Sequence, residues 1–181
     1  MKKVLTIVLC MTIVALLSGC NMNNTPTKKV EEYLNSYKTL DDNVTKQISS
    51  VIDEDQTMST DQKDKYKEVL KRQYKDLTYT IKDEMIDGDN ATVTVEIEVY
   101  DFYKSNMESD KYYQENPDKF TNNESVLDEL LLVDYRIKSL TDTSERVKYT
   151  IDFYLTKTDN NWTIDDLDST TIQKIHGLYA H

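Results

Sequence analysis

The sequence has few of the residues from which metal sites and disulfide frameworks are built. Among 181 residues it contains 3 glycines, 2 prolines, 2 cysteines and 2 histidines. Scarce glycine and proline argue against long linkers or disordered segments. The histidines, His176 and His181, have no companion ligand at the spacing of a zinc site. We therefore predict no metal, no cofactor and no disulfide framework.

Long apolar runs are also rare, and the clearest one lies at the start of the chain. Residues 4–17 follow Lys2 and Lys3, and at 14 residues the run is shorter than the ~20 that a membrane-spanning helix needs. This charged, then apolar, then small-residue layout is typical of a secretory signal. The run ends in Leu-Ser-Gly-Cys at residues 17–20, which resembles the lipobox of bacterial lipoproteins.

The lipobox resemblance implies where the chain is divided into leader, tether and domain, and where in the cell the protein is located. Residues 1–19 would be a removed signal peptide, residues 20–27 the lipidated cysteine and a short tether, and residues 28–181 a single domain. A diacylglyceryl group on Cys20 would anchor the protein at the outer face of the cytoplasmic membrane, because two acyl chains suffice for stable attachment. Cys10 would leave with the leader. The alternative is a plainly secreted protein with a free terminal thiol.

The charge balance limits the partners. The net charge of −11 becomes −13 once the leader removes Lys2 and Lys3. Such a field repels nucleic acid, so we predict no nucleic-acid partner. Tyrosine is the compositional outlier, with 13 residues against 3 Phe and 1 Trp. This bias can line a groove for sugars or peptides, or it can reflect codon usage, which is the interpretation that we favour from sequence alone.

Helical periodicity dominates the first half of the chain. Thr25-Pro26 predicts a helix start, and Ser59 with Gln62 predicts a capping box that begins another helix. Between them the apolar spacing allows one bent helix or two, and we favour two. Further on, we predict a polar helical insertion over 105–120, a helix over 124–140 that covers a sheet face, and a short helix from Ser169 that ends at Gly177.

Strand periodicity marks two hairpins. The turn at residues 87–90, Asp-Gly-Asp-Asn, joins an alternating segment to a strand over 92–103, and residues 147–164 form the second hairpin around Asp159. The first turn superficially resembles a calcium loop, but it lacks the glycine and the bidentate glutamate of an EF-hand. Strands segregated from helices predict an α+β domain in which N-terminal helices pack on a curved antiparallel sheet, with a helical insertion between two β-hairpins.

This order of elements resembles the NTF2-like (cystatin-related) cone. More narrowly, Thr25-Pro26-Thr27 after the lipobox, the 87–89 turn and the closing segment 174–179 are similar to small uncharacterised lipoproteins of Gram-positive bacteria. No catalytic residue can be carried over from that family. Since no metal site or nucleophile is evident, we predict a surface-tethered binding module for a peptide, a glycan or another envelope protein.

Asp101 is the one weak catalytic candidate. If the alternation of the strand over 92–103 continued without a break, Asp101, which is flanked by Tyr100 and Tyr103, would point into the apolar core. Burying an unpaired carboxylate there would lower the stability of the fold. We therefore expect a bulge after Val99 or an exposed Asp101. The alternative function is a small-molecule enzyme of the cone type that uses Asp101 and nearby tyrosines. A sheet face closed by the helix over 124–140 would exclude that enzyme, whereas an open cavity would favour it.

Overall fold

The computed structural model describes residues 24–124 and 126–181. The leader and Cys20 lie outside the described residues. The elements alternate between helical and strand segments in the predicted order. Their bounds are α1 Pro26–Thr39, α2 Asp42–Asp53, α3 Thr60–Lys75, β1 Thr78–Asp87, β2 Asn90–Tyr100, α4 Phe102–Glu115, a 3-10 turn at Pro117–Phe120, α5 Glu129–Asp142, β3 Arg146–Thr158, β4 Asn161–Ile164 and α6 Ser169–His176.

Side-chain caps fix where the N-terminal helices begin. Thr25 accepts a hydrogen bond from the backbone N–H of Lys28 at the start of α1. Ser59 and Gln62 form the predicted reciprocal capping box at the start of α3. Leu40 ends α1 in the left-handed region, with φ of 52°, so α1 and α2 are separate helices. The prediction of two helices is confirmed.

The sheet is a four-stranded antiparallel meander in the order β1-β2-β3-β4, and it is curved and unclosed. Both predicted hairpins are confirmed, each closed by a two-residue turn. Asp159 and Asn160 both have positive φ, as a type I′ turn requires, and Gly88 takes a positive φ in the first turn. The α+β class with N-terminal helices ahead of an antiparallel sheet is therefore correct.

The main core lies between one face of the sheet and helices α1 and α6. Alternate residues of β2 and β3 point into it, together with Val30 and Leu34 of α1 and Ile175 of α6. The inward residues of the two strands are Ala91, Val93, Val95, Ile97, Val99, Tyr149, Ile151, Phe153 and Leu155. Alternate β3 residues on the opposite face, including Thr150, Asp152 and Tyr154, are exposed, so this face is the solvated side of the sheet.

The expectation that a helix over 124–140 covers a sheet face is wrong. Asp128 accepts hydrogen bonds from the backbone N–H groups of Leu130 and Leu131, and this cap starts α5 at Glu129. The helix then packs against α3 and α4 rather than on the sheet. Its buried residues Ile137 and Leu140 share a cluster with α3 and α4 side chains, whereas Val126, Leu127, Leu130 and Leu131 of the predicted apolar stripe are exposed.

None of the helices in the described ranges is both long enough and apolar enough to cross a membrane.

Candidate functional site

A groove of about 690 Å³ opens between α1, α2, α3 and α6. Its floor is aliphatic and comes largely from α2. Five aromatic side chains line it, and we call the whole feature the tyrosine groove. They are Tyr33 and Tyr37 from α1, Tyr66 and Tyr74 from α3, and His176 from α6.

Helix periodicity explains why these rings converge. Tyr33 and Tyr37 are four residues apart on α1, and Tyr66 and Tyr74 are eight apart on α3, so each pair shares one helix face. Val44, Ile48 and Ile52 recur every four residues on α2 and bury the same side of that helix. The tyrosine-bearing faces of α1 and α3 and the apolar face of α2 therefore line one groove, with an aliphatic floor and phenol rings along its edges.

The rings form a connected aromatic wall. Tyr33 and Tyr37 meet edge to face at 5.4 Å between centroids, and Tyr37 meets Tyr74 at 5.0 Å. Such pairs contribute about 0.5–1.5 kcal/mol each beyond the area they bury. The hydroxyl oxygens of Tyr33 and Tyr37 lie 3.1 Å apart and are hydrogen-bonded. Tyr74 continues the wall to His176, with centroids 5.5 Å apart.

Burial in the groove favours the neutral forms of Tyr33, Tyr74 and His176. The Tyr74 hydroxyl is hydrogen-bonded to Nδ1 of His176 at 2.5 Å. Burial lowers the pKa of His176, because the charged imidazolium loses its hydration. Burial also raises the pKa of Tyr33 and of Tyr74, so both phenols stay protonated. Within the described residues, Asp166 is the one lining side chain of the groove that carries a formal charge at neutral pH.

Asp101 is buried, with 4% of its surface exposed, so the expected exposure is wrong. No bulge follows Val99 either, because the β2–β3 register runs without a break to the pair Tyr100–Arg146. The strand instead stops at Tyr100, and the carboxylate caps α4 by accepting the backbone N–H of Lys104 at 2.9 Å. The helix therefore begins at Phe102, earlier than the predicted 105.

The second carboxylate oxygen of Asp101 faces the last residue of the chain. Nε2 of His181 lies 3.2 Å from Oδ2 of Asp101, and the His181 ring meets Tyr103 and Tyr149 edge to face. Burial raises the pKa of Tyr149 to about 12, and the Asp101 carboxylate adds to this increase. Both carboxylate oxygens thus have partners within the chain, which is the pattern of a structural carboxylate.

A polar cleft of about 380 Å³ lies beside Asp101. Its walls include Lys104, Ser105 and Tyr135, and they carry charges of both signs. The structure thus brings the candidate residue and one tyrosine to a common opening, on the helical side of the molecule. Because Asp101 already caps α4 and contacts His181, its burial is explained without a catalytic role.

No three His, Cys, Asp or Glu side chains in the described ranges gather as a metal-ligand set.

The tyrosine groove was missed by sequence reasoning. The tyrosine excess allowed either a groove for sugars or peptides or codon usage, and because we favoured codon usage no tyrosine was assigned to a groove. The usable signal was that α1 and α3 repeat tyrosine, rather than leucine, on the faces that meet. His176 gave no such signal, because its position beside the tyrosines depends on how α6 packs against the other helices.

No protein-family model matches this chain, and no curated protein matches it. Among solved structures, the chain is similar to a candidate lipoprotein (ycdA) from Bacillus subtilis, with a TM-score of 0.43 and 14% sequence identity. The alignment covers 68% of this chain and 39% of the Bacillus protein, so this chain spans well under half of that neighbour's length. A likeness at this score carries no conclusion about fold or role.

Proposed function

We propose that this protein is a lipid-anchored extracytoplasmic lipoprotein that binds a small ligand in the tyrosine groove. The groove is the observation that carries the proposal. Its volume of about 690 Å³ falls within the roughly 300–1,000 Å³ of small-molecule sites. Such sites combine apolar walls with a few polar groups that fix orientation, and here the tyrosine hydroxyls and His176 supply those groups.

The anchor part of the proposal is supported by the sequence alone. Residues 1–19 would be the leader, Cys20 the lipidated residue within the tether 20–27, and residues 28–181 the single binding domain. The helices that precede a curved antiparallel sheet also support the NTF2-like (cystatin-related) cone as the proposed architecture. On this proposal, the short tether would hold the binding domain close to the membrane surface.

A fragment screen with a groove-blocking variant tests the binding role. Val51 lines the groove from α2 and is 73% exposed, so Val51→Trp fills the opening without disturbing a buried residue. Met107→Trp on α4 is the matched control, because Met107 is also exposed, at 54%, and lies outside the groove lining. Saturation-transfer NMR would be run on the full-length protein in nonionic micelles, with empty micelles subtracted.

We expect fragments that bind the natural sequence and Met107→Trp but lose binding to Val51→Trp. If no fragment is sensitive to Val51→Trp, the groove is not a ligand site and the proposed function is wrong.

A further inference from the structure

Lysine and arginine side chains already lie over several aromatic rings of this protein, at 4.2–5.7 Å from the ring centroid. The rings that they cover are Tyr79, Tyr100, Tyr112, Tyr179 and Trp162. In the part of the chain that the structure describes, no lysine or arginine lies over a ring of the tyrosine groove. The groove is therefore an aromatic surface that the protein leaves without an internal cation.

Two carboxylates lie in or near the groove. Asp166 lies in its lining, and Asp55 is close enough to Tyr66 to add to the increase that burial produces in the pKa of this tyrosine. His176 adds no opposing positive charge at neutral pH, because burial lowers its pKa. No lysine or arginine is among the residues that line the described groove. Because Lys63 is close enough to Asp55 to offset part of its charge, the preference for a cation rests on Asp166, the charged side chain in the lining.

The floor of the groove decides what kind of cation fits. Val44, Ile48 and Leu70 present hydrocarbon, which stabilises an apolar ligand body and provides no oxygen ligands for a bare metal ion. The negative faces of phenol rings attract an alkylated or aryl ammonium group, and this attraction corresponds to a factor of about 2 to 30 in binding.

We infer that the tyrosine groove takes a small organic cation, an ammonium group carried on an apolar body. This inference rests on the proposed function, because it names the ligand class for the same groove. The rings of Tyr33, Tyr37 and Tyr66 are half-buried, so they combine a hydrophobic contact with an open approach from solvent. Asp166 is exposed at the rim and acts as a screened partner for the charge rather than a buried counter-ion.

Two probes of the same shape and different charge isolate the electrostatic contribution. Acetylcholine carries a quaternary ammonium, and 3,3-dimethylbutyl acetate replaces that nitrogen with carbon and is neutral. Both would be titrated into the full-length protein in nonionic micelles and followed by NMR. We expect acetylcholine to bind at least about fivefold more tightly, as cation–π attraction in a partly desolvated site implies. N-acetyl-lysine methylamide serves as a third probe that represents a peptide side chain.

Neighbouring carboxylates provide a matched pair of variants. Asp166→Asn should weaken acetylcholine binding about two- to fivefold and leave the neutral isostere unchanged, because an exposed charge contributes modestly. Asp165→Asn changes the adjacent exposed residue, which does not line the groove, and should alter the binding of neither probe.

Variants of Tyr37 test the aromatic ring itself. Tyr37→Phe keeps the ring and should retain the preference for the cation, whereas Tyr37→Leu removes the ring and should reduce this preference.

Each other outcome overturns the inference in a recognisable way. Equal affinity for the two isosteres would show an apolar groove without a preference for cations, and the proposed binding function would stand. Tighter binding of the lysine probe than of acetylcholine would keep the preference for a cation but identify a lysine side chain of a peptide as the occupant, so the inference of a small-molecule ligand would be wrong. If neither isostere binds, the cation inference is wrong, and the Val51→Trp fragment test decides the proposed function separately.

Discussion

The hydroxyl of Tyr74 lies 2.5 Å from Nδ1 of His176, a residue 102 positions further along the chain. This hydrogen bond joins α3 to α6 across one end of the tyrosine groove. Both groups are largely buried, and burial lowers the pKa of His176 while it raises the pKa of Tyr74. The pair is therefore neutral in the folded protein.

The stability of the protein should decrease in mild acid because of His176. In the unfolded chain a histidine takes up a proton near pH 6.5, whereas in the folded protein the lowered pKa delays protonation. The stabilisation is therefore present above about pH 6.5 and is lost as the pH falls toward the folded-state pKa, by up to about 1.4 kcal/mol per pH unit. Urea unfolding at pH 7.5, 6.5 and 5.5 measures it.

His176→Asn is the control for this pH dependence, because asparagine keeps an acceptor for Tyr74 and does not titrate. The variant should lose less stability than the natural sequence between pH 7.5 and 5.5. An identical pH dependence in both proteins would show that His176 is not the titrating group.

The two left-handed glycines should differ in their tolerance of a methyl group. At Gly177, with φ of 71°, an added Cβ would overlap the carbonyl oxygen of Tyr100 and the amide nitrogen of Gln73, whereas at Gly88, with φ of 61°, nothing lies within 4 Å. Gly88→Ala should cost about 1–2 kcal/mol for the backbone alone. Gly177→Ala should cost about 1–3 kcal/mol more. Equal unfolding free energies of the two variants would contradict the packing around Gly177.

Asp101 should behave as a helix cap. Asp101→Ala removes the acceptor for the Lys104 N–H and the contact with His181, so it should lower the free energy of unfolding by about 1–2 kcal/mol. Asp101→Asn keeps a capping oxygen and should cost less. A loss below about 0.5 kcal/mol for Asp101→Ala, measured by denaturant unfolding, would place Asp101 among ordinary surface positions.

Cys20→Ala should abolish lipid attachment, because the proposed anchor is a thioether at that sulfur. Cells that make the full chain would be labelled with an alkynyl fatty acid and then fractionated. The natural sequence should carry the label in the membrane fraction, and Cys20→Ala should not. A Cys20→Ala protein that stays membrane-bound after its leader has been removed would contradict the proposed anchor.

Local signals predicted the parts of the fold that local physics determines. Turn residues and strict alternation located both hairpins, and Ser59 with Gln62 located the start of α3. The errors arose where contacts between residues far apart in the sequence determine the structure. The residues of α5 alone did not show that its buried side would pack against α3 and α4. The alternation that placed Asp101 in the core did not show that this residue follows the last residue of β2 and caps α4.

The tyrosine groove illustrates the same limit. Helical spacing placed Tyr33 with Tyr37 and Tyr66 with Tyr74, but it could not bring α1, α3 and α6 to one opening. That arrangement depends on tertiary contacts such as the buried Gln73 amide, which bonds the backbone of both Tyr100 and His176.

A methyl-NMR titration tests the binding site itself most directly. Full-length protein in nonionic micelles, labelled at the methyl groups of isoleucine, leucine and valine, would be titrated with the tightest fragment of the saturation-transfer screen. The groove methyls of Ile48, Leu70 and Ile172 should shift together with one dissociation constant, while Val95 in the sheet core stays unchanged. Shifts confined to the exposed α5 residues Leu130 and Leu131, with the groove methyls unmoved, would contradict the account.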